Sequence, residues 1–128
     1  MSAEQVRVRR RHAESYLAAA DLVVDLSDDA DIDTVANVVG SLAVLAGIAA
    51  TDSICGRALG IRSASESHFD AIELLSQVAG VRLAPTLKRL LQGKTDTQYS
   101  PLLLSPSKSR DMLDWARRLV VEAARTTA

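Results

Sequence analysis

Aromatic residues are scarce in this chain: one Trp, one Phe and two Tyr, 3% of the sequence. With only three Pro and six Gly as turn formers in 128 residues, this composition argues against a β-sandwich or barrel. A core must therefore be assembled from Leu, Val, Ile and Ala, which favours packed helices. Cysteine is nearly absent as well. Cys55 stands alone and cannot close an internal disulfide, so the chain is expected in a reducing, cytoplasmic setting. Its neighbours Ile54 and Gly56 suit a buried structural thiol better than a nucleophile. Neither charge sign dominates: the formal net charge is −1 and the pI about 6.1. That removes any strong whole-molecule attraction to nucleic acid, which would instead need a local basic patch. There is no phosphate-cradling glycine loop, no dinucleotide fingerprint, no H-E-x-x-H and no C-x-x-C. No cofactor and no metal are expected.

What is present is ordinary globular material, 48% hydrophobic and 24% charged. The length suits one domain spanning residues 1–128. The expected fold is all-α, a bundle of four to five helices. The first helix is read over residues 4–26, where Ala13, Tyr16, Leu17, Ala20, Val23 and Val24 recur at three- and four-residue steps. Four arginines, Arg7, Arg9, Arg10 and Arg11, crowd its start without the apolar run of a signal peptide behind them. They read as a solvated terminus, although a phosphate or acidic partner would relieve their repulsion.

A second helix is read over about 33–59. Ala36, Gly40, Ala43, Gly47 and Ala50 form a seam of small residues, and Val35, Val39, Leu42, Val44, Leu45 and Ile48 cover most of the rest. Such a helix belongs at the centre of a bundle, with a packing or assembly constraint keeping its glycines. Thr34 to Thr51 carries no charge and reaches the lower limit of a membrane span. Its polar residues, its alanines and its Asp33 and Asp52 boundaries favour a core helix, so no membrane is expected. Asp31 or Asp33 is the expected cap. The spacing Asp29, Asp31, Asp33 begins like a calcium loop, but loop positions six and twelve fall on Thr34 and Gly40, where Gly and Glu are required. Gly60 is the expected stop.

Ser63 and Glu66 have capping-box spacing ahead of a third helix over about 65–79, with Phe69, Ile72, Leu75 and Val78 facing inward and Gly80 ending it. A short fourth helix is read over about 83–92, with Pro85 in its first turn and a stop at Gly93. Residues 94–104 read as a loop. Ser105 and Pro106 then start a last helix with the stripe Met112, Leu113, Ala116, Leu119, Val120 and Ala123.

Lys94, Asp96, Gln98 and Tyr99 lie just past a helix stop, where side chains are offered to solvent or ligand. A cation, a carboxylate and a phenol in that setting can bind phosphate and assist proton transfer. Read without context, the group is an ordinary polar turn. His12 and His68, on separate helices, give no metal or catalytic pairing by spacing.

The order of these segments carries a resemblance. The chain opens with AESYLAAADLV from Ala13. A small-residue helix follows, SLAVLAGIAATDSICGRALG from Ser41, then a helix headed by His68 with AIELL from Ala71. Next come LLQGKTDTQY from Leu90 and ARRLV from Ala116. Across nearly its whole length the chain resembles the HEPN domain family, and most its small actinobacterial members. The resemblance implies an up-and-down bundle, a homodimer, and a place in a prokaryotic toxin–antitoxin or defence system. The partner there would be a cognate antitoxin or a nucleotidyltransferase-type protein. Many members are metal-independent ribonucleases with an Arg, four to six residues and a His at the dimer cleft. Residues 94–99, KTDTQY, match that stretch: Lys94 stands for the arginine, and Gln98 or Tyr99 falls where the histidine would be. Lysine still holds phosphate as a point charge. Glutamine cannot act as a general base, and a tyrosine phenol ionises near pH 10 in model peptides. Asp52, Arg57 and His68 are implied at the same cleft.

Three functions follow. The leading one is a HEPN-like module that binds RNA or a partner protein without catalysis of the family's usual kind. The second is a metal-independent endoribonuclease using Lys94 and Tyr99 with His68, with Gln98, Arg57 and Asp52 helping to bind phosphate. The third is a purely structural dimer that masks a partner. Weak phosphate binding, RNA cleavage without metal, and neither of these would separate them.

Overall fold

The computed structural model describes residues 1–61 and 68–127. It contains five helices and, among the described residues, no strand: α1 (Ala3–Leu26), α2 (Val35–Leu59), α3 (His68–Gln92), α4 (Lys94–Gln98) and α5 (Pro106–Thr126). The all-α reading therefore holds. The capping box expected at Ser63 and Glu66 lies outside the described residues.

α2 is the hub and packs against each of the other four helices. Val39, Ala43, Val44, Ala46, Ala50 and Ile54 of α2 are buried together with Ala13 and Leu17 of α1, Leu75, Leu87 and Leu90 of α3, and the α5 stripe from Met112 to Ala123. By length and composition α2 could cross a membrane, with a mean hydropathy of 1.8 over its most apolar window, but 72% of that window is buried by the other helices. Its apolar surface is thus already used in the core.

The small-residue seam is explained inside the chain. A Cβ on Gly47 would run into Leu90 Cδ2 of α3 and would stand 3.3 Å from Leu119 Cδ1 of α5. One on Gly40 would lie 2.5 Å from Thr97 Cγ2 and 3.0 Å from Leu104 Cδ2. The glycines let α3, α4 and α5 come down onto the hub, and the seam is not an open face.

Several boundaries differ from the sequence reading. Residues 68–92 form one helix, not two. Gly80 does not stop it, because Leu75, Val78, Leu83, Leu87 and Leu90 keep three- to five-residue steps on one core-facing side, and burial of that stripe outweighs about 1 kcal/mol of glycine propensity. Pro85 is exposed, so its ring and its missing N–H fall on the solvent side of the helix. Phe69, expected inside, is 67% exposed, and Val24 is 49% exposed. Residues 94–98 are helical instead of a loop. Neither Asp31 nor Asp33 caps α2. Thr34 is its N-cap in a left-handed conformation, and Asp33 Oδ1 accepts only from the Thr34 N–H at 2.7 Å. Ser2 and Gln5 supply a capping box for α1 that the sequence reading lacked. Gly60 ends α2 in a left-handed conformation, and Ser105 with Pro106 starts α5, both as expected.

Candidate functional site

The residues singled out from the sequence separate into two groups, one at each end of α2. α4 sits near the start of α2. Thr97 is buried against Gly40, and Asn37 clamps the segment from both sides. Its Nδ2 donates to the carbonyls of Asp96 and Thr97 at 3.4 and 3.3 Å, and its Oδ1 accepts from the Leu104 N–H at 3.0 Å. This fixes Lys94, Gln98 and Tyr99 on the outside of the bundle. Gln98 is exposed, Lys94 half-buried, and Tyr99 is 71% exposed. Beside them lies an open depression of about 490 Å³, lined by Thr34, Asn37, Val38, Ser41, Leu42, Thr97 and Gln98. Its lining offers hydroxyls, amides and apolar carbon but no titratable side chain. It can hold a polar ligand by hydrogen bonds; it has no acid or base of its own.

Asp52 lies twelve residues beyond Gly40, about 18 Å along the helix at 1.5 Å per residue, and Arg57 more than another turn beyond that. Asp52 is buried, and Arg9 of α1 reaches it. Arg9 Nε and a terminal nitrogen donate to the same Asp52 Oδ2 at 3.1 and 2.9 Å. The other terminal nitrogen of Arg9 lies 3.1 Å from His12 Nδ1. Guanidinium only donates, so Nδ1 accepts and the proton of the neutral ring is on Nε2. Burial of a carboxylate is costly unless it is paired, and this pairing answers that cost. Cys55, one turn on, is buried, and its thiol is pushed up to about 11, first by burial and then by the Asp52 charge. A protonated buried thiol is not a nucleophile near neutral pH. Two depressions flank the cluster, about 260 Å³ beside Met1, Gln5 and Arg9 and about 270 Å³ beside Arg11, His12 and Ser15.

The implied catalytic set is thus dispersed within one chain. His68 opens α3 and Lys94 follows its far end; a straight helix of that length spans about 36 Å. Within one chain Asp52 and Arg57 belong to the opposite end of α2 from Lys94, Gln98 and Tyr99. Arg57 is exposed in the last turn of α2, where a cation complements the helix dipole. Among the described residues no three His, Cys, Asp or Glu gather as a metal site.

Asn37 is an organising residue that the sequence reading did not weigh, and Arg9, expected in a solvated terminus, is instead half-buried on Asp52 and His12 because a buried carboxylate needs a cation. A signal existed for Arg9. Asp52 is the only charge between Asp33 and Arg57, and a lone acid on a core helix needs a cation from a neighbour. Comparison with protein-family models, with curated proteins and with solved structures found no match to this chain.

Proposed function

We propose that this chain is a HEPN-like helical module of a prokaryotic toxin–antitoxin or defence system, acting in the cytoplasm as a homodimer that binds RNA and does not cleave it. The observation that carries this reading is the lack of a histidine beside the phosphate-binding candidate, where the one carboxylate, Asp96, is exposed. Residues 94–104 contain Lys94 but no histidine. His12 belongs to α1, which does not touch α4, and is engaged by Arg9. The length of α3 separates His68 from Lys94 in the same chain. Cleavage through a ribose 2′-OH needs a group that takes a proton near neutral pH, and histidine is the side chain that does so without tuning. What remains is binding: a lysine, an amide and a phenol on one segment, with the amide of Gln98 lining an open depression. Dimerisation and a partner antitoxin or nucleotidyltransferase-type protein rest on the family resemblance.

The test is to incubate the purified protein with labelled RNA in EDTA and follow both integrity and anisotropy. The expected result is intact RNA, weak binding that falls with salt, and weaker binding still for Lys94→Ala. Robust cutting that is abolished by Tyr99→Phe would replace this reading with the endoribonuclease.

A further inference from the structure

Many cations elsewhere on the surface are matched by carboxylates. Arg7 pairs with Glu4, Arg9 with Asp52, Arg10 with Glu14, Arg117 with Asp21 and Arg125 with Glu122. The second half of α3 differs in combining unpaired cations with a stretch free of acids. From residue 74 to residue 95 there is no Asp or Glu; the flanking acids are Glu73 and Asp96. Within that stretch Arg82, Lys88 and Arg89 are all exposed, and none makes an ion pair or side-chain hydrogen bond among the described residues. With the exposed Pro85 and Gln92 they recur at three- and four-residue steps, which puts them along one side of the helix. Arg82 and Arg89 are seven residues apart, so the charged face extends about 10 Å along the axis.

Unpaired, long-armed cations on an exposed helix face, free of local carboxylates, complement a chain of negative charges. We infer that the Arg82–Lys88–Arg89 face of α3 docks the phosphate backbone of a nucleic acid. This deepens, and rests on, the RNA-binding reading above, and it moves most of the affinity from Lys94 to the helix before it. The side of α3 that holds these cations carries no aromatic residue to stack on a base, so contacts are to phosphate and recognition is independent of sequence. The acidic turn at Asp28, Asp29, Asp31 and Asp33 keeps nucleic acid away from the end of α1, because like charges repel it there.

The experiment compares two triple variants with the same change in net charge, using the full chain and a fluorescein-labelled 12-nucleotide single-stranded RNA. One variant is Arg82→Gln, Lys88→Gln, Arg89→Gln. The control is Arg7→Gln, Arg117→Gln, Arg125→Gln, whose cations are already paired. The α3 triple is expected to weaken binding on the order of tenfold and to lower the slope of log affinity against log salt by about 2, from roughly 0.7 per single-strand phosphate contact. The control should change affinity by less than about threefold, and oligo-U and oligo-A should bind the parent protein alike. If the parent binds RNA and both triples weaken it equally, or neither does, the α3 face is wrong while RNA binding stands. If the parent binds no RNA at about 50 mM salt, where phosphate contacts are strongest, RNA binding itself fails. A change in sedimentation by the α3 triple with RNA binding untouched would make this face a contact between copies and overturn the inference. The charge-preserving triple Arg82→Lys, Lys88→Arg, Arg89→Lys should bind like the parent, because charge and not side-chain shape is what counts here; a loss as large as that of the glutamine triple would contradict phosphate docking by charge.

Discussion

At the Asp52 end of α2 the charged side chains are turned upon one another: three nitrogens of Arg9 are engaged by Asp52 and His12, and the thiol of Cys55 is held protonated behind them. At the Asn37 end the anchoring is done by an amide and by buried Thr97, and Gln98 and Tyr99 are left exposed. The first arrangement satisfies its polar groups internally and joins α1 to the hub. The second fixes a backbone and leaves side chains available for a ligand. In the reading proposed above, binding falls to the clamped segment with outward-facing side chains and architecture to the buried, well-paired cluster.

The comparison can be broken most forcefully at the hub that both ends share. Gly47→Leu puts a side chain where Leu90 and Leu119 already lie, both fully buried, and should destabilise the fold by about 1–3 kcal/mol or more. For a chain of this size that is a fall in melting temperature of roughly 3 to 15 °C by thermal denaturation. An unchanged melting temperature would mean the seam is not filled from within. Next in size is Arg9→Ala, which removes a partner of a buried carboxylate. A loss of about 1–3 kcal/mol is expected, with RNA binding of the remaining folded protein unchanged, since this end is assigned to architecture. Smallest is Asn37→Ala. It deletes the clamp on residues 94–104 and should cost about 1–2 kcal/mol, while hydrogen exchange at Thr97 and Leu104 accelerates more than exchange in the middle of α2. Uniform acceleration across the chain would deny α4 its local anchoring.

Much of this architecture is readable before any coordinates. The hub is visible because α2 is apolar on nearly every side, and α5 because its stripe from Met112 to Ala123 is buried throughout, as spaced. The signals that mislead are local ones overruled by packing. Gly80 reads as a stop, yet the apolar stripe runs through it in register. Phe69 reads as core by period and is exposed, because the stripe that meets α2 and α5 begins after it, at Ala71. The candidate site is legible only as a stretch of residues. Lys94, Gln98 and Tyr99 do share one segment, but their separation from Asp52 and Arg57 depends on where α4 lands along α2. That is decided by a contact between Thr97 and Gly40 across 57 positions of sequence, which no local pattern reports. The pairing of Arg9 with Asp52 is likewise long-range, 43 residues apart.

The most direct test is residue-resolved. Amide chemical shifts of the labelled protein, recorded while a single-stranded RNA is titrated in at low salt with EDTA present, report where the nucleic acid sits and whether it survives. Perturbations are expected to concentrate on residues 82–98, with α1 and the second half of α2 unmoved and the RNA intact at the end. Perturbations centred on Arg9, His12, Asp52 and Arg57, or RNA that is degraded during the titration, would contradict the account.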